Sequence, residues 1–190
     1  MKRAKEKGQY GYRNYRKRMR LLLVLIGVAA ILIQLAARQI TDNQSARNIL
    51  TVMAILSVLP TANLASPLIA SWRFKSPAEA FYAKVHPYEK DYPILYDLIV
   101  TTREQILPFD AAVVHPRGIY VFCPSQRADT DKAEKALNSF LSAQKLAPNM
   151  KIIKNEKQFL QRLSSLKPAS EYEDDKSADY VVRFLKNMSM

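Results

Sequence analysis

The chain has 190 residues, with 29 Lys and Arg against 17 Asp and Glu, a net charge of +12, and a hydrophobic share of 48%. Its single cysteine, Cys123, excludes an internal disulfide framework, and its four glycines form neither GxxxxGKS/T nor GxGxxG, which excludes the commonest phosphate-binding loops. A strongly basic chain suggests nucleic acid as a partner, but here the placement of the charge argues against it.

Residues 1–20 carry nine basic side chains and one acidic one, Glu6. From residue 76 onward there are 16 basic and 15 acidic residues, so that part is nearly neutral. The stretch 1–20 reads as a basic cytoplasmic tail, with helix near 14–20. Its charges would rest on anionic lipid headgroups, at about 1 kcal/mol each. Tyr10, Tyr12 and Tyr15 among them leave an RNA contact as the rival reading.

Residues 21–72 read as a transmembrane hairpin, with spans at 21–38 and 49–72. The uncharged cores, 21–37 and 49–71, fall within the roughly 17–25 residues that cross a bilayer. The dense Lys and Arg before the first span, and Arg73 and Lys75 after the second, place both termini in the cytoplasm. A cleaved signal peptide is the rival for the first span; the long basic lead-in and the second span so soon after it oppose that. Ser57, Thr61 and Ala65 recur every four residues and offer a small-residue packing face. Gly27, Ala30 and Ala37 could meet it from the first span, or another membrane protein or a second copy could. Gln34 and Asn63 lie at different depths of an antiparallel pair, so no hydrogen bond between them is expected.

Residues 76–190 read as a small cytosolic α/β (α+β) domain, in the order helix, three strands, helix, strand, helix, helix. Ser76, Pro77 and Glu79 form a capping signature for a helix over 77–85. Strands are expected at 92–100, 110–115 and 119–123, the last two joined through Pro116-Arg117-Gly118. A helix over 129–146 should turn Ala133, Ala136, Leu137, Phe140, Leu141 and Gln144 inward. A fourth strand is expected at 150–153 and a helix at 155–166. An acidic loop at 168–176 follows, then a helix at 178–188 with Tyr180, Val181, Phe184 and Leu185 inward. The first three strands suit an antiparallel meander, with the fourth added after a crossover helix.

This order, with Asp-led Phe109-Asp110-Ala111-Ala112-Val113-Val114 and the turn and strand of residues 116–122, resembles the nuclease-related domain, NERD. NERD is a branch of the restriction-endonuclease-like fold that often accompanies membrane anchors. The resemblance puts Asp110 on the family's metal-binding Asp and Glu79 on its helix Glu. It makes the Glu-x-Lys position read Cys123-Pro124-Ser125. Cleavage in that family needs carboxylates for Mg²⁺ and a Lys near the attacking water. Cys is a poor Mg²⁺ ligand and Ser125 carries no charge, so the candidate relic site of Glu79, Asp110, Cys123 and Ser125 is expected to lack catalysis, metal and cofactor.

Asp110 could be a hydrogen-bonded strand residue, Cys123 a small core residue, and His86 and His115 ordinary polar positions. The expectation is a two-pass membrane protein of bacterial type whose domain binds or scaffolds. Nucleic acid is not an expected partner. The alternatives are a membrane-tethered Mg²⁺-dependent nuclease using displaced residues such as Asp97, Glu104 and Asp110, and a regulatory partner of a transporter.

Overall fold

Two long apolar helices come first: α1, Tyr12–Ile40, and α2, Gln44–Ser71. The structure is a computed structural model and describes residues 4–102, 104–147, 149–172 and 177–190. The chain divides into two units, Asn14–Phe74 and the combination of Met1–Arg13 with Lys75–Met190.

In the helical unit, α1 and α2 are long and apolar enough to cross a membrane. Leu25, Ile33 and Leu59 are 57%, 68% and 73% exposed, a surface suited to lipid and costly in water. The helices meet through small side chains. A Cβ on Gly27 would fall 2.5 Å from Thr61 Oγ1, so the approach depends on glycine. Gln34 Nε2 lies 3.4 Å from Ser57 Oγ, and Asn63 is exposed elsewhere on α2. α2 runs unbroken through Pro60 and Pro67. The hydroxyls of Thr51, Ser57, Thr61 and Ser71 donate to carbonyls one turn back, so these groups are satisfied within the helix.

The other unit is a four-stranded sheet between helices. The strands are β1, Ile94–Thr101; β2, Ile106–His115; β3, Gly118–Phe122; and β4, Met150–Ile153, in that spatial order. β1–β2 and β2–β3 are antiparallel, and β3–β4 is parallel across a helical crossover. On one face, Leu98, Leu107 and Phe109 pack with Leu137 of α4, Thr130–Ala143, and Leu185 of α6, Ser177–Met188. On the other, Tyr96, Val113 and Phe122 pack with Phe81 of α3, Glu79–Val85, and Phe159 of α5, Glu156–Ser164. The expected mixed α+β architecture is therefore present.

Several boundaries differ from the sequence reading. β2 starts four residues earlier than expected and contains Pro108. Proline is tolerated there because β2 pairs with β3 only from Ala111 on, so one side of Pro108 has no ladder to feed. α3 is capped at Ala78 without a side-chain bond, because the Ser76 hydroxyl donates to Asp97 instead. Phe140 of α4 and Tyr180 of α6, expected inward, are 37% and 62% exposed. Ala133, Leu137 and Leu141 already fill the buried stripe of α4, as Val181 and Leu185 do for α6. The expected acidic loop forms a 3-10 turn at Ala169–Glu171, and its residues 173–176 lie outside the described ones.

The largest difference concerns the tail. Residues 4–13 are part of the folded unit, not a solvated lead-in. Tyr96 N–H donates to Gly8 O at 2.8 Å. Tyr10 stacks on Tyr82 at 4.2 Å, and Tyr12 is buried. Gly8 and Gly11 have φ of +91° and +81°, which allows the turns that lay this segment along β1.

Both sheet edges are covered. On β1, Ile99 N–H donates to Ser189 Oγ and Ile99 O accepts from Met190 N. Lys7 Nζ donates to the carbonyls of Lys186 and Ser189 at the end of α6. On β4, Met150 N–H donates to Asn138 Oδ1 and Ile152 N–H to Glu134 Oε1. Glu134 and Asn138 sit one turn apart on α4, so one helix face occupies the strand's outward donors.

Candidate functional site

Side chains on a strand alternate between faces with a period of two. Leu95 and Leu98 of β1 nevertheless share one face, as do Phe109 and Ala112 of β2. Each strand slips phase once, at Asp97 and at Asp110. The register pairs Tyr96 with Ala111 and Leu98 with Phe109, so these two aspartates stand opposite each other and the ladder skips both. Asp97 has φ +59°, a left-handed conformation unusual inside a strand.

Arg13 fills this break. It is 4% exposed. Nη1 donates to Asp110 Oδ1 at 3.0 Å and to Lys75 O at 2.5 Å. Nη2 donates to Leu98 O at 3.1 Å and Phe109 O at 3.0 Å. Nε faces Asp97 Oδ1 at 3.6 Å, a charge contact too long for a hydrogen bond. Asp97 Oδ2 accepts from the Ser76 hydroxyl at 2.7 Å and from Arg13 N–H at 3.4 Å. A planar fork of five donors suits this set of acceptors, and a lysine ammonium would not match it.

One guanidinium against two carboxylates leaves a surplus negative charge in a buried place. Burial, the largest cause, raises the pKa of Asp110, and the Asp97 charge adds to it. Arg13 opposes them without cancelling them.

The remaining candidates lie apart from this cluster. Glu79 is exposed at the start of α3, with no hydrogen bond or ion pair to Asp110. Cys123 is fully buried just beyond β3, and its N–H donates to Ile153 O. Burial raises its thiol pKa, which keeps it protonated and unreactive. Ser125 belongs to a turn, its carbonyl accepting from Ala128 N–H. Glu104 is exposed in the β1–β2 connection and does not join Asp97 and Asp110. Ser57 and Thr61 meet α1 of the same chain, and Ala65 lies half-buried one turn further on.

His115, read as an ordinary polar position, is buried in the β2–β3 hairpin. Arg117 N–H donates to its Nδ1, so Nε2 carries the proton and donates to Lys167 O. That arrangement ties the hairpin to the segment after α5.

The Mg²⁺ that a nuclease-like site implies does not fit this donor set. Two carboxylates converge, as a displaced site would require, but the space between them is taken by a fixed positive charge. Among the described residues, no group of three or more His, Cys, Asp and Glu could hold a metal ion. Arg13 escaped the sequence reading because it is one of nine basic residues in the tail. The signal available was the glycine and tyrosine pattern just before it, Gly8-Gln9-Tyr10-Gly11-Tyr12, which favours ordered turns over a solvated arm. No protein-family model, curated protein or solved structure matches the chain.

Proposed function

We propose that the chain is a two-pass protein of the cell membrane, with both termini in the cytoplasm, whose nuclease-like domain binds or scaffolds without cutting nucleic acid. The observation that carries this reading is the Arg13 guanidinium set between Asp97 and Asp110. An internal cation there occupies the space between the carboxylates that a hydrolytic metal would need. The order helix, three strands, helix, strand supports the nuclease-like part. The two exposed apolar helices support the membrane part, and the flanking Lys and Arg support its orientation. Lipid with anionic headgroups is the partner for the basic stretch that leads into the first span.

The test is cleavage of DNA and RNA by the purified full chain with Mg²⁺ or Mn²⁺. The expected result is no cleavage above that of Asp110→Asn. Metal-dependent cleavage that disappears in Asp110→Asn would overturn the reading. A reporter fused after Met190 is expected to be shielded from reagents outside the cell, and its labelling there would overturn the orientation.

A further inference from the structure

α1 covers only one side of α2, and the opposite side carries unmet polar groups. Thr61 meets Gly27. At 3.6 residues per turn, Asn63 lies about 200° round the helix from Thr61, facing away from α1. Asn63 and Ser66 are both exposed, three residues apart on that side. Neither side chain has a hydrogen-bond partner among the described residues. Pro67 adds a third group, because it has no N–H to give the Asn63 carbonyl, its partner one turn back. Thr61 and Ser71 hydroxyls reach Ser57 O and Pro67 O, but no side chain among the described residues donates to Asn63 O.

If α2 spans the bilayer, as proposed above, this level lies roughly 12 Å inside the Ser71 end and has no water. A carboxamide is both donor and acceptor, so its natural complement is another carboxamide. Two copies related by a two-fold axis along the membrane normal would place Asn63 against Asn63 and exchange a pair of N–H···O bonds. The second amide hydrogen of each would remain for the Asn63 carbonyl or the Ser66 hydroxyl. We propose that the chain self-associates in the membrane through the Asn63–Ser66 side of α2, a second copy being the occupant.

The test uses the full chain in phosphatidylcholine–phosphatidylglycerol liposomes, labelled through Asp42→Cys with donor or acceptor dye; native Cys123 is buried. Energy transfer is followed as lipid dilutes the protein. The expected result is a dissociation curve for the parent chain that moves about tenfold toward weaker association in Asn63→Leu. Asn63→Gln, which keeps the carboxamide, is expected to stay near the parent. Asn63→Leu places an apolar side chain in lipid and leaves the α1 contact untouched, so it tests association and not insertion. An unchanged curve in Asn63→Leu, or a parent chain monomeric at every dilution, overturns the proposal. So does energy transfer that appears only on adding another membrane protein. Flotation of the liposomes separates the two readings. A chain that floats but is monomeric sinks this inference alone, and one that does not float sinks the membrane reading with it.

Discussion

Arg13 and Asp110, 97 residues apart in the chain, are joined by a 3.0 Å bond inside one folded unit. A residue from the basic lead-in thus becomes the counter-charge of the sheet's two buried aspartates. The segment before α1 is part of the fold because Arg13 stitches the one place where β1 and β2 both slip phase.

Removing that stitch should be costly. Arg13→Ala leaves two buried carboxylates and strips donors from Lys75 O, Leu98 O and Phe109 O. A loss of about 3–5 kcal/mol of domain stability is expected. Arg13→Lys should recover only part, since one ammonium cannot match the fork's geometry. Pulse proteolysis across a urea series in detergent measures both.

The surplus charge has a pH signature. The folded Asp110 carboxyl has its pKa raised, chiefly by burial, so the folded state binds this proton more tightly than the unfolded state. Its contribution to stability is therefore greatest at low pH and is lost as pH rises from the ordinary carboxylate range through the folded value. Asp110→Asn, neutral throughout, should compare better with the parent at pH 7.5 than at pH 4.5. The difference between the two proteins' unfolding midpoints at each pH isolates this group.

Glu134 guards the β4 edge. Glu134→Ala removes the acceptor of Ile152 N–H, a 2.7 Å bond, and should lower stability by about 1–2 kcal/mol. Amide hydrogen exchange should quicken at Ile152 before it does at Val121 in the adjoining strand, and the variant should aggregate more readily through the opened edge.

Gly8 guards the other edge. Its φ of +91° strains any side chain, and an added Cβ would lie 2.7 Å from Leu95 Cδ2. Gly8→Ala is expected to cost about 1–2 kcal/mol and to speed exchange at Tyr96 N–H, whose acceptor is Gly8 O. Exchange at Phe122, inside the sheet, should change less.

The elements with a clean period were legible from residues alone. β4 matches its expected bounds, and the helices expected from residues 129 and 155 do start there, with Asp129 and Asn155 accepting backbone N–H groups as the caps of α4 and α5. The small-residue pattern of residues 57, 61 and 65 pointed to the side of α2 that α1 covers. The departures share a physical cause, a long-range partner outbidding a local preference. Ser76 leaves its capping role for Asp97, Pro108 sits where one neighbouring strand is missing, and Arg13 leaves the lipid surface for a break in the sheet. Phase slips at Asp97 and Asp110 are invisible to pattern reading, because every residue from 95 to 100 is buried.

Manganese binding followed by electron paramagnetic resonance probes the claim about Arg13 most directly. The purified full chain and Asp110→Asn, each titrated with Mn²⁺ at neutral pH, should leave the same fraction of free Mn²⁺ signal, because the guanidinium holds the place between the carboxylates. Stoichiometric loss of the free signal in the parent chain, restored by Asp110→Asn, would contradict it.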